Sequence, residues 1–241
     1  QGGAAHIPSL RTHDQHAMAV DITRCQGEPV AAVAAITRSI AEDAVELIDV
    51  VWDPLPAVSA SKDALDAGSS VVHSGDTNNV AFEATAVGGD EVVSSNIEVS
   101  AEFSFGRHTG VTLETRAAIA DWNPGDETLT VYASHQTPWQ QQDVYSRHLG
   151  IEEHRVRVIC PVIGGGFGIK LHVYGDEIAI AALSRLLARP IKFIADRLES
   201  FVSDMHSRDH VVSASARADC GGLKSITCLL YTSPSPRDGL L

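Results

Sequence analysis

The residues of this chain best suited to chemistry are backbone groups exposed by glycines. In VRVICPVIGGGFGIK, Val156 to Lys170, four of the five positions from 164 to 168 lack a side chain, and only Phe167 interrupts them. Glycines this dense beside a strand cost conformational entropy, so they belong where φ must be positive or where the backbone must approach a neighbour closely. A dinucleotide fingerprint needs a glycine where Ile169 stands, and a Walker loop needs Gly-Lys-Ser/Thr where the chain reads Ile169-Lys170-Leu171. Two readings stay open on these letters. One is a tight, densely packed turn; the other is a nest of N–H groups closed around the anionic atoms of a cofactor.

Other reactive residues form weaker patterns. His13 with His16, and His206 with His210, have spacings that can hold a metal but are read as polar surface, so no metal ligand is expected. Cys25, Cys160, Cys220 and Cys228 form no CxxC pair and fit no iron–sulfur spacing, as expected of reduced thiols in a cytoplasmic protein. With 18 Lys and Arg against 31 Asp and Glu, the net charge of −13 disfavours nucleic acid and anionic membrane surfaces. The 241 residues, 44% of them hydrophobic, predict a soluble globular protein of one or two domains. No apolar run reaches membrane-spanning length, and QGGAAHIPSL lacks the plan of a secretion signal. Without an initiator Met, the chain is expected to be a fragment open at both ends.

These groups need elements to position them. GEPVAAVAAIT and DVVWDPLPAV read as strands flanking the helix SIAEDAVELI, whose Ser39 and Glu42 have capping-box spacing. Residues 59–95 read as a linker with a short helix near Ala64, because Ser, Gly, Asp and Asn dominate. IEVSAEFSF alternates as a half-buried strand, and TLTVYASHQ supplies another. TPWQQQDVYSRHLG is a helix with Thr137 as cap, Pro138 first, Gln140 completing a capping box and Gly150 as stop. RVRVICPV leads into the glycines; DEIAIAALSRLLA is a buried helix, and RPIKFIAD a returning strand. The class is α+β, with the glycine loop between a strand and a buried helix. CLLYTSPSPRD, from Cys228, resembles the translation of a transposase adapter used in sequencing libraries, so residues 228–241 are set aside as an artefact expected to pack on nothing.

VIGGGFGIK, with VYASHQTPWQQQDVYSRHLGIEEHRVRVICP before it and EIAIAALSRLLARPIKFIADRLESF after it, resembles the molybdopterin-binding large subunit of the xanthine dehydrogenase, aldehyde oxidase and carbon monoxide dehydrogenase family. GEPVAAVAAITRSIAEDAVELIDVVWDPLPAV is similar to that family's α/β hammerhead domain, and GRHTGVTLETRAAIA to the segment between. The resemblance implies the C-terminal part of a hammerhead domain over 1–58, the linker over 59–95, and the first part of a molybdenum-cofactor-binding domain over 96–227. It implies that Gly165, Gly166, Phe167 and Gly168 lie against the molybdenum end of the cofactor and that Gln136 faces an oxo ligand of the metal. The implied activity is oxidative hydroxylation of an aldehyde, an N-heterocycle or a similar small substrate with water as oxygen source. The glutamate base is implied beyond this chain, and no metal ligand is assigned within it. The cofactor is molybdopterin, with its cytosine dinucleotide form as a variant; FAD and 2Fe-2S clusters are implied on partner subunits or domains. Leu171 stands where purine-oxidising members carry a glutamate. The alternatives are a non-redox phosphate- or nucleotide-binding domain and a family relative that acts as an inactive scaffold.

Overall fold

The computed structural model of the chain describes residues 11, 13–88 and 95–232. Along the chain run α1 (Arg38–Glu46), β1 (Ile97–Phe105), β2 (His108–Thr109), β3 (Ala117–Asn123), β4 (Thr128–Ala133), α2 (Pro138–Leu149), β5 (Val156–Ile159), α3 (Gly175–Leu187), β6 (Ile191–Ile194), α4 (Arg197–Ser203), β7 (His206–Ser207), β8 (His210–Asp219) and β9 (Gly222–Thr232). Short 3-10 turns lie at Asp63–Leu65, near the short helix expected at Ala64, and at Glu153–Arg155 and Ile169–Leu171. Among the described residues the strands form sheets ordered β5-β4-β3-β6 and β1-β8-β9, plus the pair β2-β7.

Alternation along AAIADWN and TLTVYA sends Ala118, Ala120, Trp122, Leu129, Val131 and Ala133 to one face. That face is covered by α2 over β5 and by α3 over β3 and β6. Val144, Tyr145, Ile178, Ile180 and Ala181 complete the core. Ser184 ties the layers together: its hydroxyl accepts the Trp122 N–H at 2.9 Å and donates to Arg189 O at 2.8 Å. β4 and β5 are parallel, Leu129 facing Val156, with α2 as the crossover between them. Parallel neighbours end at the same edge, so whatever follows β4 and β5 must meet there.

Two caps differ from expectation. α2 starts at Pro138 and stops at Gly150, with φ 62°, but the Thr137 hydroxyl does not cap the backbone. It donates to Gln140 Oε1 at 3.0 Å or to Leu171 O at 3.2 Å, which ties the helix start to the loop after the glycines. α1 is capped by Thr37, whose Oγ1 accepts the Ile40 N–H at 3.3 Å, rather than by Ser39.

The expected strands around α1 carry no strand pairing among the described residues, and no residue of α1 is buried. A strand pattern describes one face of a pleat, and the ladder needs a neighbouring strand, which is not found here among the described residues. β1 forms as expected but is exposed along its whole length rather than half buried. Cys228–Thr232, expected to pack on nothing, extend β9 against β8, with Leu229 opposite Ser213 and Leu230 opposite Val212. Backbone pairing is sufficient to hold them there, since Leu229 and Leu230 remain half exposed. Residues 233–241 lie outside the described residues.

Candidate functional site

The common edge of β4 and β5 brings Gln136 and the glycine loop together. Gln136 lies three residues beyond β4, and the loop opens five residues beyond β5. A Cβ built on Gly166 would stand 2.5 Å from Gln136 Cδ, so this approach requires glycine. The Gly168 N–H donates to Gln136 Oε1 at 3.0 Å, which fixes the carboxamide orientation, because only its oxygen can accept. Among the described residues no group of the chain accepts from Gln136 Nε2. The N–H groups of Gly165, Gly166 and Phe167 are likewise unused by hydrogen bonds among the described residues.

Backbone conformation explains the sequence of the loop. Gly165 and Gly168 have φ 99° and 89°, and Phe167 itself has φ 49°, in the left-handed region that disfavours side chains. The Phe167 ring is 76% exposed and anchors nothing in the core. Segment 110–114 closes the loop from the other side, leaving no room for a Cβ on Gly110, which would meet Phe167, or on Gly164, which would meet Glu114.

A charged cluster fastens the loop. Lys170 is fully buried, and its ammonium donates to Glu114 Oε2 at 2.7 Å and to Ser134 Oγ at 2.6 Å. Ser134 passes its own hydrogen to the same Glu114 oxygen at 2.6 Å, and the Gly164 N–H adds a contact at 2.8 Å. Partial burial pushes the Glu114 carboxyl up, but the bonds from Lys170, Ser134 and Gly164 outweigh it and hold it at about 2.

A second network lies beneath. Arg116, 1% exposed, donates to Asp204 at 2.6 Å and, through both terminal nitrogens, to Asp176 at 2.7 Å. Its guanidinium lies 3.8 Å over the Tyr174 ring, and the Tyr174 hydroxyl donates to Ile169 O at 2.6 Å, just past the glycines. Burial works to lower the Arg116 pKa, but Asp176, Glu177 and Asp204 raise it well above its ordinary value. Burial drives Glu177 up to about 7 against the pull of Arg116. His135 is lowered to about 4 by burial and is neutral. Its Nδ1 accepts the Thr137 N–H at 3.0 Å, so the proton lies on Nε2, which donates to His172 O at 3.0 Å.

The sequence singled out Gln136 and Gly165–Gly168, which the fold gathers at one edge, but not Glu114, Ser134, Arg116, His135 or Glu177. The available signal was LETRAAIA, where a glutamate and an arginine stand immediately before a buried strand. One histidine of each pair takes up a structural contact: His13 stacks on His73 at 3.7 Å and pairs with Asp76, and His206 bonds Phe201 O. Among the described residues no helix is long and apolar enough to cross a membrane.

The arrangement offers amide donors and one carboxamide donor to a polar or anionic ligand at the carboxyl ends of parallel strands. Residues 72–231 match the family described as molybdopterin cofactor-binding domain, and residues 2–56 that described as aldehyde oxidase and xanthine dehydrogenase, a/b hammerhead domain. The nicotine 6-hydroxylase large subunit of Paenarthrobacter nicotinovorans is 33% identical over 208 residues, covering 85% of this chain and 25% of that protein. The carbon monoxide dehydrogenase large chain of Hydrogenophaga pseudoflava is 31% identical over 222 residues, covering 85% of this chain and 27% of that one. The crystal structure of quinoline 2-oxidoreductase from Pseudomonas putida 86 superposes with a TM-score of 0.87 at 32% identity, over 93% of this chain and 29% of that one. This chain thus spans about a quarter of the length of the curated relatives it matches. On these matches the chain belongs to the molybdopterin cofactor-binding family of the aldehyde oxidase, xanthine dehydrogenase and carbon monoxide dehydrogenase large subunits.

Proposed function

We propose that this chain forms one wall of the molybdenum-cofactor site in a hydroxylase large subunit, and that the intact enzyme oxidatively hydroxylates a small electron-poor substrate with oxygen from water. The observation that carries the reading is the cradle at the β4–β5 edge. Gln136 Nε2 and the N–H groups of Gly165, Gly166 and Phe167 have no hydrogen-bond acceptor among the described residues, in a place where a Cβ on Gly166 would overlap Gln136. Donors left without protein acceptors around one loop make a set that a polar or anionic ligand edge can fill, as in a backbone nest.

Bound there, molybdopterin would supply the redox centre and activate the water-derived oxygen. The chain's own part is to bind and orient. Gln136 would donate from Nε2 to a ligand oxygen while Gly168 holds its Oε1, so the donor does not rotate away. The loop amides would donate to neighbouring anionic atoms at no side-chain cost. Neutral His135 keeps Thr137, and through it the start of α2, in place. FAD and 2Fe-2S centres on partner subunits or domains would take the electrons onward, which suits a chain without cluster spacing.

For the substrate, we favour an N-heterocycle or aldehyde over a purine. Leu171 follows Lys170 and can neither accept from a purine N–H nor move a proton, and an unpaired polar edge against it costs about 1–3 kcal/mol. Two of the matched proteins, named for nicotine and quinoline, point toward N-heteroaromatic rings. The test uses the full-length protein: metal analysis, extraction of the pterin to distinguish molybdopterin from its cytosine dinucleotide form, and a panel of nicotine, quinoline, aldehydes, carbon monoxide and xanthine. Stoichiometric molybdenum with kcat/KM led by a heterocycle or aldehyde is expected. A molybdenum-free protein overturns the site, and a panel led by xanthine overturns the role of Leu171.

A further inference from the structure

We propose that Glu114 is a positioning residue for the glycine loop: one carboxylate oxygen sets the spacing between the loop amides and the Gln136 carboxamide, through Lys170 and Ser134 and without touching the ligand. The inference rests on reading this loop as a cofactor cradle.

Glu114 Oε2 receives three hydrogen bonds, and each comes from a different support of the site. The Gly164 N–H at 2.8 Å is the entrance of the loop, and the Lys170 ammonium at 2.7 Å is its exit. The Ser134 hydroxyl at 2.6 Å lies two residues before Gln136. Because Lys170 also donates to Ser134 Oγ at 2.6 Å, the three side chains form a closed ring of hydrogen bonds. Lys170 reaches Gln136 a second way, since its backbone oxygen accepts the Gln136 N–H at 2.8 Å. With its backbone N–H held by Lys170 and its Oε1 by Gly168, Gln136 turns toward the ligand an Nε2 that has no acceptor among the described residues.

The charge as well as the shape of Glu114 is required. Lys170 is 0% exposed, and Glu114 is the acidic partner its ammonium reaches, so removing the carboxylate leaves a buried cation without counter-charge. Stability and positioning would then fail together in a simple Glu114→Ala variant. They separate in the double variant Glu114→Ala with Lys170→Met, which removes both charges and retains the bulk of the lysine stem.

The experiment compares full-length wild type, the double variant and Glu114→Gln by melting temperature, by hydrogen exchange of the peptide spanning 161–171, and by bound molybdenum. The double variant is expected to melt close to wild type. Its Gly164 and Gly168 amides should nonetheless exchange about tenfold faster or more, and its molybdenum retention should fall about 10- to 100-fold, as for other groups that orient a ligand-holding residue. A double variant that regains slow exchange and full molybdenum along with its melting temperature shows a merely structural pair and overturns the proposal. If wild type holds no molybdenum, the cofactor reading fails, and the exchange arm alone decides the positioning: faster exchange supports it, unchanged exchange overturns it. Where the double variant does not fold, Glu114→Gln decides. It keeps an acceptor for Gly164, so that amide should stay slow while Gly168 exchange rises and molybdenum falls; wild-type values for both overturn the proposal.

Discussion

Two sheets of this chain have the same apolar alternation and opposite surroundings. In the β5-β4-β3-β6 sheet, Leu129 and Val131 are 0% exposed beneath α2 and α3. In the β1-β8-β9 sheet, Val99 is 62% and Phe103 53% exposed, although their partners across the ladder, Ala216 and Val212, continue the same apolar face. Alternation therefore states which face of a strand is apolar, while burial depends on what packs against it. The ladder itself does not need that cover, because paired backbone groups are satisfied without it. The candidate site lies at an edge of the covered sheet, where neighbouring elements fix each residue, and the uncovered sheet contributes chain connections: β1 leads into the segment that carries Gly110 and Glu114, and β8 follows the loop after α4.

The comparison predicts unequal costs of substitution, and Arg116 should show the largest. Arg116→Ala leaves Asp176, Glu177 and Asp204 buried without their cation and should lower unfolding stability by about 3–5 kcal/mol. Urea denaturation of the chain measures this, and a loss near that of a surface residue would mean that the carboxylates neutralise or resolvate without the arginine. Next in size is the direct contrast of the sheets. Leu129→Ala should cost about 2–5 kcal/mol as a core cavity, whereas Val99→Ala should stay within about 0.5 kcal/mol as a surface change. Equal costs would show that β1 is covered in solution.

A smaller effect, dependent on pH, separates two glutamates of the covered region. Glu177 is raised from 4.5 to about 7, so between those values the folded state keeps a proton that the unfolded chain releases. Its contribution is therefore present in acid and is lost as pH rises toward 7. Glu114 is lowered from 4.5 to about 2, so its contribution is present above 4.5 and is lost as pH falls toward 2. At 40% side-chain exposure, Glu114 is screened by solvent and should give the weaker arm. Melting temperature against pH should thus fall on both sides of a maximum. Glu177→Gln should flatten the neutral arm and Glu114→Gln the acid arm; an unchanged neutral arm in the first variant would place the titration elsewhere.

The sequence was most legible where local pattern and tertiary partner coincide. α2, with Pro138 and Gly150 at its ends, and α3, with its run of apolar residues, lie where periodicity and stop signals put them. The glycines announced a strained backbone, and φ at Gly165 and Gly168 is positive. The segments around α1 failed because Val-rich periodicity cannot show whether a neighbouring strand exists. The Glu114–Lys170–Ser134 ring was invisible for a different reason. Its members are 20, 36 and 56 positions apart, and only the fold reveals that one carboxylate serves them all.

The smallest change in stability is expected at Gln136, where the change in function should be large. Gln136 is only partly buried, and among the described residues its side chain makes one hydrogen bond, from the exposed Gly168 N–H to Oε1. Gln136→Ala removes that bond and no core packing, a loss of about 1 kcal/mol or less by the usual worth of a neutral hydrogen bond. Its Nε2, by contrast, is oriented before any ligand arrives, and a preorganised donor at a reacting centre is worth about 100- to 1000-fold in turnover. In the full-length protein, on the hydroxylase proposal, Gln136→Ala should thus melt within a few degrees of wild type while kcat falls far more than KM rises, because the interaction strengthens as charge develops. Gln136→Glu sharpens the test: it keeps the length and the acceptor for Gly168, and replaces the donor with an acceptor. If donation from Nε2 is what matters, the glutamate variant should be as inactive as the alanine one, although its loop remains held. A glutamate variant that restores turnover would assign Gln136 to holding Gly168 in place, and the ligand contact would then rest with the loop amides alone.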